Sequence, residues 1–543
     1  MTEQLMRPHR RPGVRDLLTS LLRPSRFAIV GVAGIAVNAV ALFFFTEVLG
    51  IHYVVSAVLA SQVSTLHNFV LSELWVFRGH DSPRHLLLRY LAFNVLNILT
   101  LFVRVPVLVL LTEGANIHYL VSNVLAIGLT FGIRYLVADN WIWAGRDARD
   151  QLAVDGWYQY DVHGLVRLRS RIALPELAAF NATQPVDPDI VVTRRRLLGG
   201  WPRRHIAIGS EDGLISYREH LGALGVAFDV QLGEPVRLEA NWLLAWSHHV
   251  LYTNMVEPVL RFMLVSRGAV LLHAASIDAD RGAVLLSAQT DTGKTSTVLR
   301  LLMHHSWAFM GDDMAVVFPD GRILSFPKPM TLSLHTMSAV SDAALPLSDR
   351  IMLAIRSRVH SKQGRSIGHA IGRMPLPVVT INAIVQLLVP PPKYHVSSLI
   401  DCDISTEAPL DAVILMERGE PVEEEVEIEA ALDELLANTE DAYTFPPFGS
   451  FSPLLRFDEL DMAELRSRER GLLRTAIARA WRRRLRVPGH QWSELIPNLL
   501  NAQRATPAAG DEEGNQAQGT IPIELPVGSG GRQPRTAAKE TSG

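Results

Sequence analysis

The sequence predicts a multi-domain protein: an all-α unit of four transmembrane helices, built as two parallel hairpin repeats, followed by a cytoplasmic α/β domain around a phosphate-binding loop. Three observations predict it. Four apolar runs, each near the ~20 residues needed to cross a bilayer, occupy the first 143 residues. Within them, "IHYVVSAVLA" from Ile51 and "IHYLVSNVLA" from Ile117 agree at eight of ten positions at an offset of 66. Farther on, "LLSAQTDTGKTSTVL", Leu285–Leu299, reads as an apolar strand, a polar loop ending in Gly-Lys-Thr, and a helix.

At 543 residues the chain is too long for one ordinary domain. A net charge of -3 gives no reason to expect nucleic acid as a partner. The single cysteine, Cys402, excludes an internal disulfide. Mean hydropathy is positive although 20% of residues are charged, and the excess sits at the N-terminal end.

The elements follow in order. Residues 1–25 form a basic N-terminus and residues 26–145 the transmembrane unit, with apolar runs Phe27–Val48, Tyr53–Ser72, Leu91–Leu111 and Tyr119–Ala138. Four such runs in succession leave no polar helix face for a soluble core. Arginines cluster before the first run, between the second and third (Arg78, Arg84, Arg89), and after the fourth (Arg146, Arg149). The other two loops carry neither Lys nor Arg. Positive charge stays inside, so both termini are expected in the cytoplasm of a cell with this protein in its inner membrane. The repeat extends from Glu73 and Trp75 to Asp139 and Trp141. An even number of helices per unit makes the repeats parallel rather than inverted.

Polar groups lie within the runs. The amides suit interhelical hydrogen bonds. Arg104 and Arg134 are costlier, and no Asp or Glu in their own runs neutralises them. At 1.5 Å per residue they lie about 22 Å and about 13 Å from the inner ends of their helices. Two readings stand: a site for an anionic head group at successive depths, or hydrated, snorkelling arginines.

The pieces "RFAIVGVAGIAVN", "NFVLSELWVF" and "IRYLVADNWIW" resemble the GtrA-like family of four-helix membrane proteins over about residues 25–145. The resemblance implies a role in cell-surface polysaccharide synthesis, with a polyprenyl-phosphate-linked sugar, or another anionic lipid, as the partner moved across the membrane.

Residues 146–265 read as a mixed α/β lead-in. "WYQYDVHGLVRLRS" alternates like a strand pair turning at Gly164, "SYREHLGALG" reads as a short helix stopped by Gly225, and no chemistry rises above a packing layer. Residues 266–460 carry the chemistry. "GAVLLHAASI" and "GAVLLSA" are buried strands, and the loop Thr290-Asp291-Thr292-Gly293-Lys294-Thr295 follows, opening the helix "KTSTVLRLLMHH". Unpaired N–H groups and the dipole of a helix start attract phosphate. Lys294 has the reach for β- and γ-phosphates, and the Thr295 hydroxyl suits Mg²⁺. Ala288 stands where the phosphate-loop pattern has its first glycine, which a negative φ tolerates. "WAFMGDDMAVVF" is a third strand carrying Asp312 and Asp313. Adjacent strand residues point to opposite faces, so one carboxylate is expected to face the loop as metal ligand or base, unless the pair is a solvated strand end. His273 is either a satisfied core histidine or a site residue.

"LLHAASIDADRGAVLLSAQTDTGKTSTVL" and "FMGDDMAVVFPDG" together resemble the HPr kinase and phosphoenolpyruvate carboxykinase group. The resemblance implies an ATP-binding fold with Mg²⁺, in which Lys294 and Thr295 meet phosphate and metal and Asp312 and Asp313 supply metal ligand and base. Two departures are visible: Ala288, and Ser296 where HPr kinases carry glutamate.

Three segments remain. "RSRVHSKQGRSIGHAIGR", Arg356–Arg373, is either a solvated loop or one bringing Lys362 or Arg365 to a phosphoryl group. Residues 461–501 read as a basic amphipathic helical region, "RSRERGLLRTAIARAWRRRLR" lying on the inner leaflet or on its own domain. "EEEVEIEAALDELL" reads as a solvated strand and helix, and residues 502–543 as a disordered tail. Three functions fit: sugar-lipid handling coupled to an ATP-dependent kinase, a nucleotide sensor gating the membrane unit, or a tethered kinase acting on a lipid alcohol, a protein serine or a small molecule. Self-association suits so small a membrane unit, but no motif argues it.

Overall fold

The computed structural model describes residues 14–78, 85–115, 117–138, 142–143, 155–196, 206–211, 213–221, 224–289, 292–331, 336, 377–388, 391, 393–444, 447–457, 460–489, 491–505 and 521–522. The first 143 residues carry four long helices: α1 Val14–Phe43, α2 Tyr53–Leu71, α3 Leu86–Val109 and α4 Tyr119–Val137. With their π-helical extensions, Ser25–Val48 and Tyr53–Val76 are long and apolar enough to cross a membrane, while Leu86–Thr100 and Leu120–Tyr135 are shorter apolar stretches.

The repeat is visible atom by atom. α2 and α4 each run 19 residues and begin alike. His52 Nδ1 accepts from Val54 N–H, and His118 Nδ1 from Leu120 N–H. Ser56 and Ser122 donate to the Ile51 and Ile117 carbonyls at 3.1 and 3.2 Å. The histidines satisfy N–H groups that a helix start leaves unpaired, and the serines tie the preceding turn to the helix. α1 packs on α2 and α3 on α4. The α1–α2 contact is close because Gly34 has no side chain: a Cβ there would stand 2.3 Å from the Asn68 amide. Aromatic side chains from several helices form one cluster, Phe27, Phe69, Phe77, Phe93, Tyr135 and Trp143. Trp143 stacks on Phe77 at 4.4 Å and donates its indole N–H to Glu73 at 2.7 Å, which also pairs with Arg89 at 2.7 Å. Asp139 and Trp141, the repeat mates of Glu73 and Trp75, lie outside the described residues.

The lead-in region folds into a seven-stranded sheet of β1 Tyr158–Val162, β2 Val166–Ser170, β3 Ile190–Arg194, β4 Ile206–Glu211, β5 Leu214–Glu219, β6 Ala227–Gln231 and β7 Val236–Ala240, in the order β1-β2-β3-β7-β6-β5-β4. β1 and β2 form the hairpin expected around Gly164, whose φ is +71°. "SYRE" is not helical but part of β5: Ile215, Tyr217 and Glu219 are buried in alternation, a period of two. Glu219 accepts from the Tyr217 hydroxyl and from the backbone N–H groups of Val379 and Thr380 at the start of a helix, which makes a strand residue a helix cap.

After helix α5 Glu257–Ser266 comes a second, mixed sheet. Its strands are β8 Val270–Leu272, β9 Ala275–Asp278, β10 Ala283–Ala288, β11 Ala308–Gly311, β12 Ala315–Val317 and β13 Arg322–Ser325, with a small β14 Met330–Thr331 and β15 Lys393–Tyr394 ladder beside it. β16 Glu407–Arg418, β17 Val422–Glu425, β18 Trp481–Val487 and β19 Ile521–Pro522 complete it. Helix α6 Lys294–His304 lies on one face and α8 Ile428–Thr444 on the other, with α7 Val378–Leu388 between them in the chain. The central strands β10 and β16 run parallel; β10 is buried throughout and β16 over Ala412–Met416, which accounts for their apolar stretches.

The basic C-terminal stretch is corrected. α9 Met462–Ile477 is a helix, but Trp481–Val487 is strand β18, parallel to β16, and α10 Trp492–Ala505 follows. Its arginines face carboxylates rather than a leaflet. Arg470 and Arg474 pair with Glu429, and Arg483 and Arg484 pair with Glu423, Glu424, Glu425, Glu417 and Glu434. The acidic and basic runs, each solvated-looking alone, neutralise one another across β17 and β18. Part of the expected disordered tail is ordered too: α10 reaches Ala505, and β19 pairs with β17. The rest of that tail, and Arg356–Arg373 with Lys362 and Arg365, lie outside the described residues.

Candidate functional site

Two strands expected to be continuous are broken, and the breaks adjoin. β8 pairs with β12 and β9 with β11, so the interruption at His273-Ala274 falls beside the one at Asp312-Asp313-Met314. Gly311 makes the second break feasible: a Cβ there would lie 2.3 Å from the Met314 carbonyl oxygen. Breaking the strand frees the two aspartates from strict alternation and sends them to different partners. Asp312 is buried and accepts from the Thr295 hydroxyl at 2.9 Å. Asp313 is 41% exposed, 3.0 Å from Lys328 Nζ and 3.8 Å from both Lys294 Nζ and His273 Nε2.

The loop stands at the C-terminal end of β10. Ala288 is the last strand residue, paired with Met416 and not among the positive-φ positions, so its side chain is accommodated. Gly293 has φ +122°, a conformation that favours glycine, and begins α6 without any side-chain cap. The Ser296 and Thr297 hydroxyls turn back to the Gly293 carbonyl instead. The first N–H groups of an 11-residue helix are thus left for an anion. Arg418, at the end of β16, holds the loop by donating to the Thr292 carbonyl. Thr290 and Asp291 lie outside the described residues.

Electrostatics separate the two carboxylates. Burial, then the neighbouring Asp313, pushes Asp312 up to about 6. Burial also opposes the Asp313 charge, but Lys328, His273 and Lys294 outweigh it and hold that carboxyl well below its ordinary range. Burial and then Lys294 lower His273 to about 3, so it is neutral at physiological pH. One oxygen of Asp312 is buried with no hydrogen-bond partner, which carries a cost unless a ligand meets it. With the Thr295 hydroxyl beside it, this is an all-oxygen donor set suited to Mg²⁺. Among the described residues no group of three or more His, Cys, Asp or Glu converges.

Sequence reasoning missed Lys328, which has no motif around it in "SFPKPM". It also missed a second cluster. Glu176, on the 3₁₀ turn Pro175–Phe180 of the lead-in region, accepts from Lys393 of β15 and lies 2.8 Å from His249 Nδ1. Lys393 Nζ is itself 2.6 Å from His249 Nδ1. These residues stand 73 and 144 or more positions apart in the chain, so no local pattern announces them.

In the helical region the two arginines are met by neutral groups. Arg104 Nη2 donates to Asn123 Oδ1 at 2.8 Å, and Arg134 Nε to Thr100 Oγ1 at 3.0 Å. The duplicated helices, the aromatic cluster and these paired arginines define a compact helical unit, and its extent coincides with a known family model. Residues 26–143 form a GtrA/DPMS transmembrane domain. A dolichol-phosphate mannosyltransferase of Pyrococcus furiosus is 36% identical over 121 residues, which is 22% of this chain and 33% of that protein. The chain thus spans about a third of the length of this curated relative. The GtrA/DPMS domain makes the chain a membrane protein, and a separate α/β, sheet-rich region follows it.

Proposed function

We propose that the GtrA/DPMS domain spans the membrane four times, with both termini in the cytoplasm, and handles a polyprenyl-phosphate-linked sugar. The relative's name, with its dolichol phosphate, supports that substrate class, and the lysine- and arginine-free loops support the orientation. Arg104 and Arg134, held by neutral partners, keep their charge for an anionic head group.

The α/β region, in the same reading, binds ATP with Mg²⁺ and transfers the γ-phosphoryl group to an alcohol. The observation that carries it is the Thr295–Asp312 contact of 2.9 Å beside the uncapped helix start at Gly293. Backbone N–H groups of the loop and Lys294 bind the phosphates. Thr295 and Asp312 would hold Mg²⁺, which would neutralise phosphate charge during transfer. Asp313 takes the proton of the attacking hydroxyl. The new bond joins the hydroxyl oxygen to the γ-phosphorus, and the bond to the β-phosphate oxygen breaks, leaving ADP. His273, neutral, orients Asp313 without adding to its charge. Lys294→Ala tests this reading: ATP affinity of the full chain, measured by calorimetry in detergent, should fall by at least about 100-fold, or about 2.7 kcal/mol. An unchanged affinity would refute the nucleotide site.

A second reading, nucleotide sensing without transfer, is favoured by Ser296. A serine brings no carboxylate to a metal, and its hydroxyl is donated to the Gly293 carbonyl at 2.8 Å. Labelled ATP separates the two: transfer of the γ-phosphate to any membrane or soluble acceptor excludes pure sensing.

A further inference from the structure

We propose that Lys393, positioned by Glu176 and His249 of the lead-in sheet region, is the docking group for an anionic substituent of the phosphoacceptor, which makes the acceptor an alcohol that also carries a phosphate. The inference rests on the kinase reading above for the word acceptor; the anion subsite itself stands on separate observations.

The first is geometric. Lys393 pairs with Thr331 across the β14–β15 ladder, three residues beyond Lys328, whose ammonium is 3.0 Å from Asp313. Lys294, Lys328 and Lys393 therefore bring three ammonium groups to one region, with side chains 10%, 12% and 16% exposed. Burial lowers the Lys393 pKa and the Glu176 carboxylate opposes that, with smaller effects from Lys328 and Asp313.

The second is a count of donors. An ammonium has three. Lys393 gives one to Glu176 and at most one to His249 Nδ1, which leaves at least one for a ligand. His249 Nδ1 lies within hydrogen-bond distance of both Glu176 and Lys393, so whether it donates to the carboxylate or accepts from the ammonium, at least one Lys393 donor remains. Burial and the adjacent Lys393 keep that ring neutral, so the cluster carries only the Lys393–Glu176 pair.

The third is cost. Glu176 is 1% exposed, and its second oxygen is buried without a partner. A buried ion pair is seldom the most stable filling of such a place, and an incompletely satisfied one is worse. A strictly structural link between the two sheets would be better made by apolar groups. A carboxylate that fixes a lysine head at the edge of a phosphate-transfer site has a use that repays the arrangement: it aims a charge-assisted donor at an incoming oxyanion. Lys294 and Lys328 already face Asp313 and the loop, so Lys393 is the group left for the acceptor's own anion.

The test uses the full chain in detergent micelles, loaded with Mg²⁺ and the non-hydrolysable nucleotide AMP-PNP, and titrated calorimetrically with glycerol 3-phosphate or glycerol. Glycerol 3-phosphate should bind and glycerol should not. Lys393→Met should weaken glycerol 3-phosphate by about tenfold or more, with AMP-PNP affinity within about twofold, and Lys393→Arg should restore most of it. Since Lys393→Met orphans the Glu176 charge, the double variant Glu176→Gln/Lys393→Met serves if the single one fails to fold. Equal binding of glycerol, or unchanged glycerol 3-phosphate affinity without Lys393, overturns the proposal. Failure to bind AMP-PNP would instead overturn the nucleotide reading. The same titration on the nucleotide-free chain would then decide Lys393: dependence sustains the subsite and independence ends it. Phosphatidylglycerol and phosphatidylcholine bicelles as competitors locate the source. Displacement by the first alone assigns a lipid headgroup, and displacement by neither assigns a soluble phosphate; both sustain the subsite.

Discussion

Arg104 and Arg134 of the helical unit and the buried lysines of the α/β region are treated in opposite ways, although Arg89, near the start of α3, pairs with Glu73. Arg104 and Arg134 are met by an amide and a hydroxyl, so each guanidinium is hydrogen-bonded but its charge is not cancelled. In the α/β region the interior lysines discussed have anionic partners: Lys294 and Lys328 have Asp313, and Lys393 has Glu176. The difference teaches what each site is prepared for. A cation with only neutral partners in an apolar unit is stabilised by an arriving anion, and its affinity rises because nothing local competes. A paired cation is already compensated, so in the proposed reading it acts by position and would share its partner with an incoming polyphosphate.

Removing an anion from the paired region should have the largest effect. Asp312→Asn or Asp313→Asn should bind ATP within about tenfold of the parent, or ~1.4 kcal/mol. At least one should lose phosphoryl transfer by about 100-fold or more. Full transfer in both variants, measured with labelled ATP, would leave the strand break with no chemical role.

Removing a cation from the unpaired region comes next. Arg104→Leu should insert and fold at least as well as the parent, because the charge is costly there. Sugar-lipid handling should fall by about tenfold or more, read as surface polysaccharide in cells carrying only the variant. Normal polysaccharide would reduce Arg104 to a hydrated structural residue, and the contrast between the regions would lose its functional meaning.

Proton titration sharpens the paired side. With Asp312 at about 6 in the ligand-free fold, Mg²⁺ must compete with a proton. Affinity of the AMP-PNP-loaded protein for Mg²⁺ should be about tenfold weaker at pH 5 than at pH 7, the ratio of ionised fractions. The stability consequence has the opposite sign. A carboxyl raised above its unfolded value contributes stability that is present at low pH and lost as pH rises through about 6. Asp312→Asn should therefore stabilise the ligand-free protein above pH 6 while weakening its metal site. Denaturant unfolding of parent and variant at pH 5 and 7.5 checks this, and a variant less stable than the parent at pH 7.5 would contradict it.

The smallest effect is expected in the helical unit. Trp143→Phe keeps the stack on Phe77 but removes the N–H donor to Glu73. Arg89 still pairs with Glu73, so the loss should be about 1–2 kcal/mol, seen as a modest drop in the thermal midpoint in detergent.

The transmembrane repeat was legible because its signal is local and redundant. Twenty apolar residues have few soluble alternatives, and the His and Ser that cap α2 and α4 sit at fixed offsets from them. The strand-loop-helix around Gly293 was legible for the same reason: strand, positive-φ glycine and helix start are consecutive. Where sequence reading failed, a distant neighbour decided. "SYRE" has helical composition, yet β6 beside β5 fixes its period at two. Trp481–Val487 looks like the continuation of a basic helix, yet β16 on one side and the glutamates of β17 on the other make it a strand.

The sequence by itself determined the membrane helices, their duplication, the strand-loop-helix segment around Gly293 and the residue types at His273, Lys294, Thr295, Asp312 and Asp313. Only the tertiary structure decided that two strands break side by side, that Asp312 turns to Thr295 while Asp313 turns to Lys328, and that Glu176 and His249 reach Lys393. The physical reason is range. Helix caps and apolar runs draw on neighbours within a few positions, whereas a buried charge is stabilised by whichever opposite charge the fold delivers, and the chain separation between them carries no pattern to read.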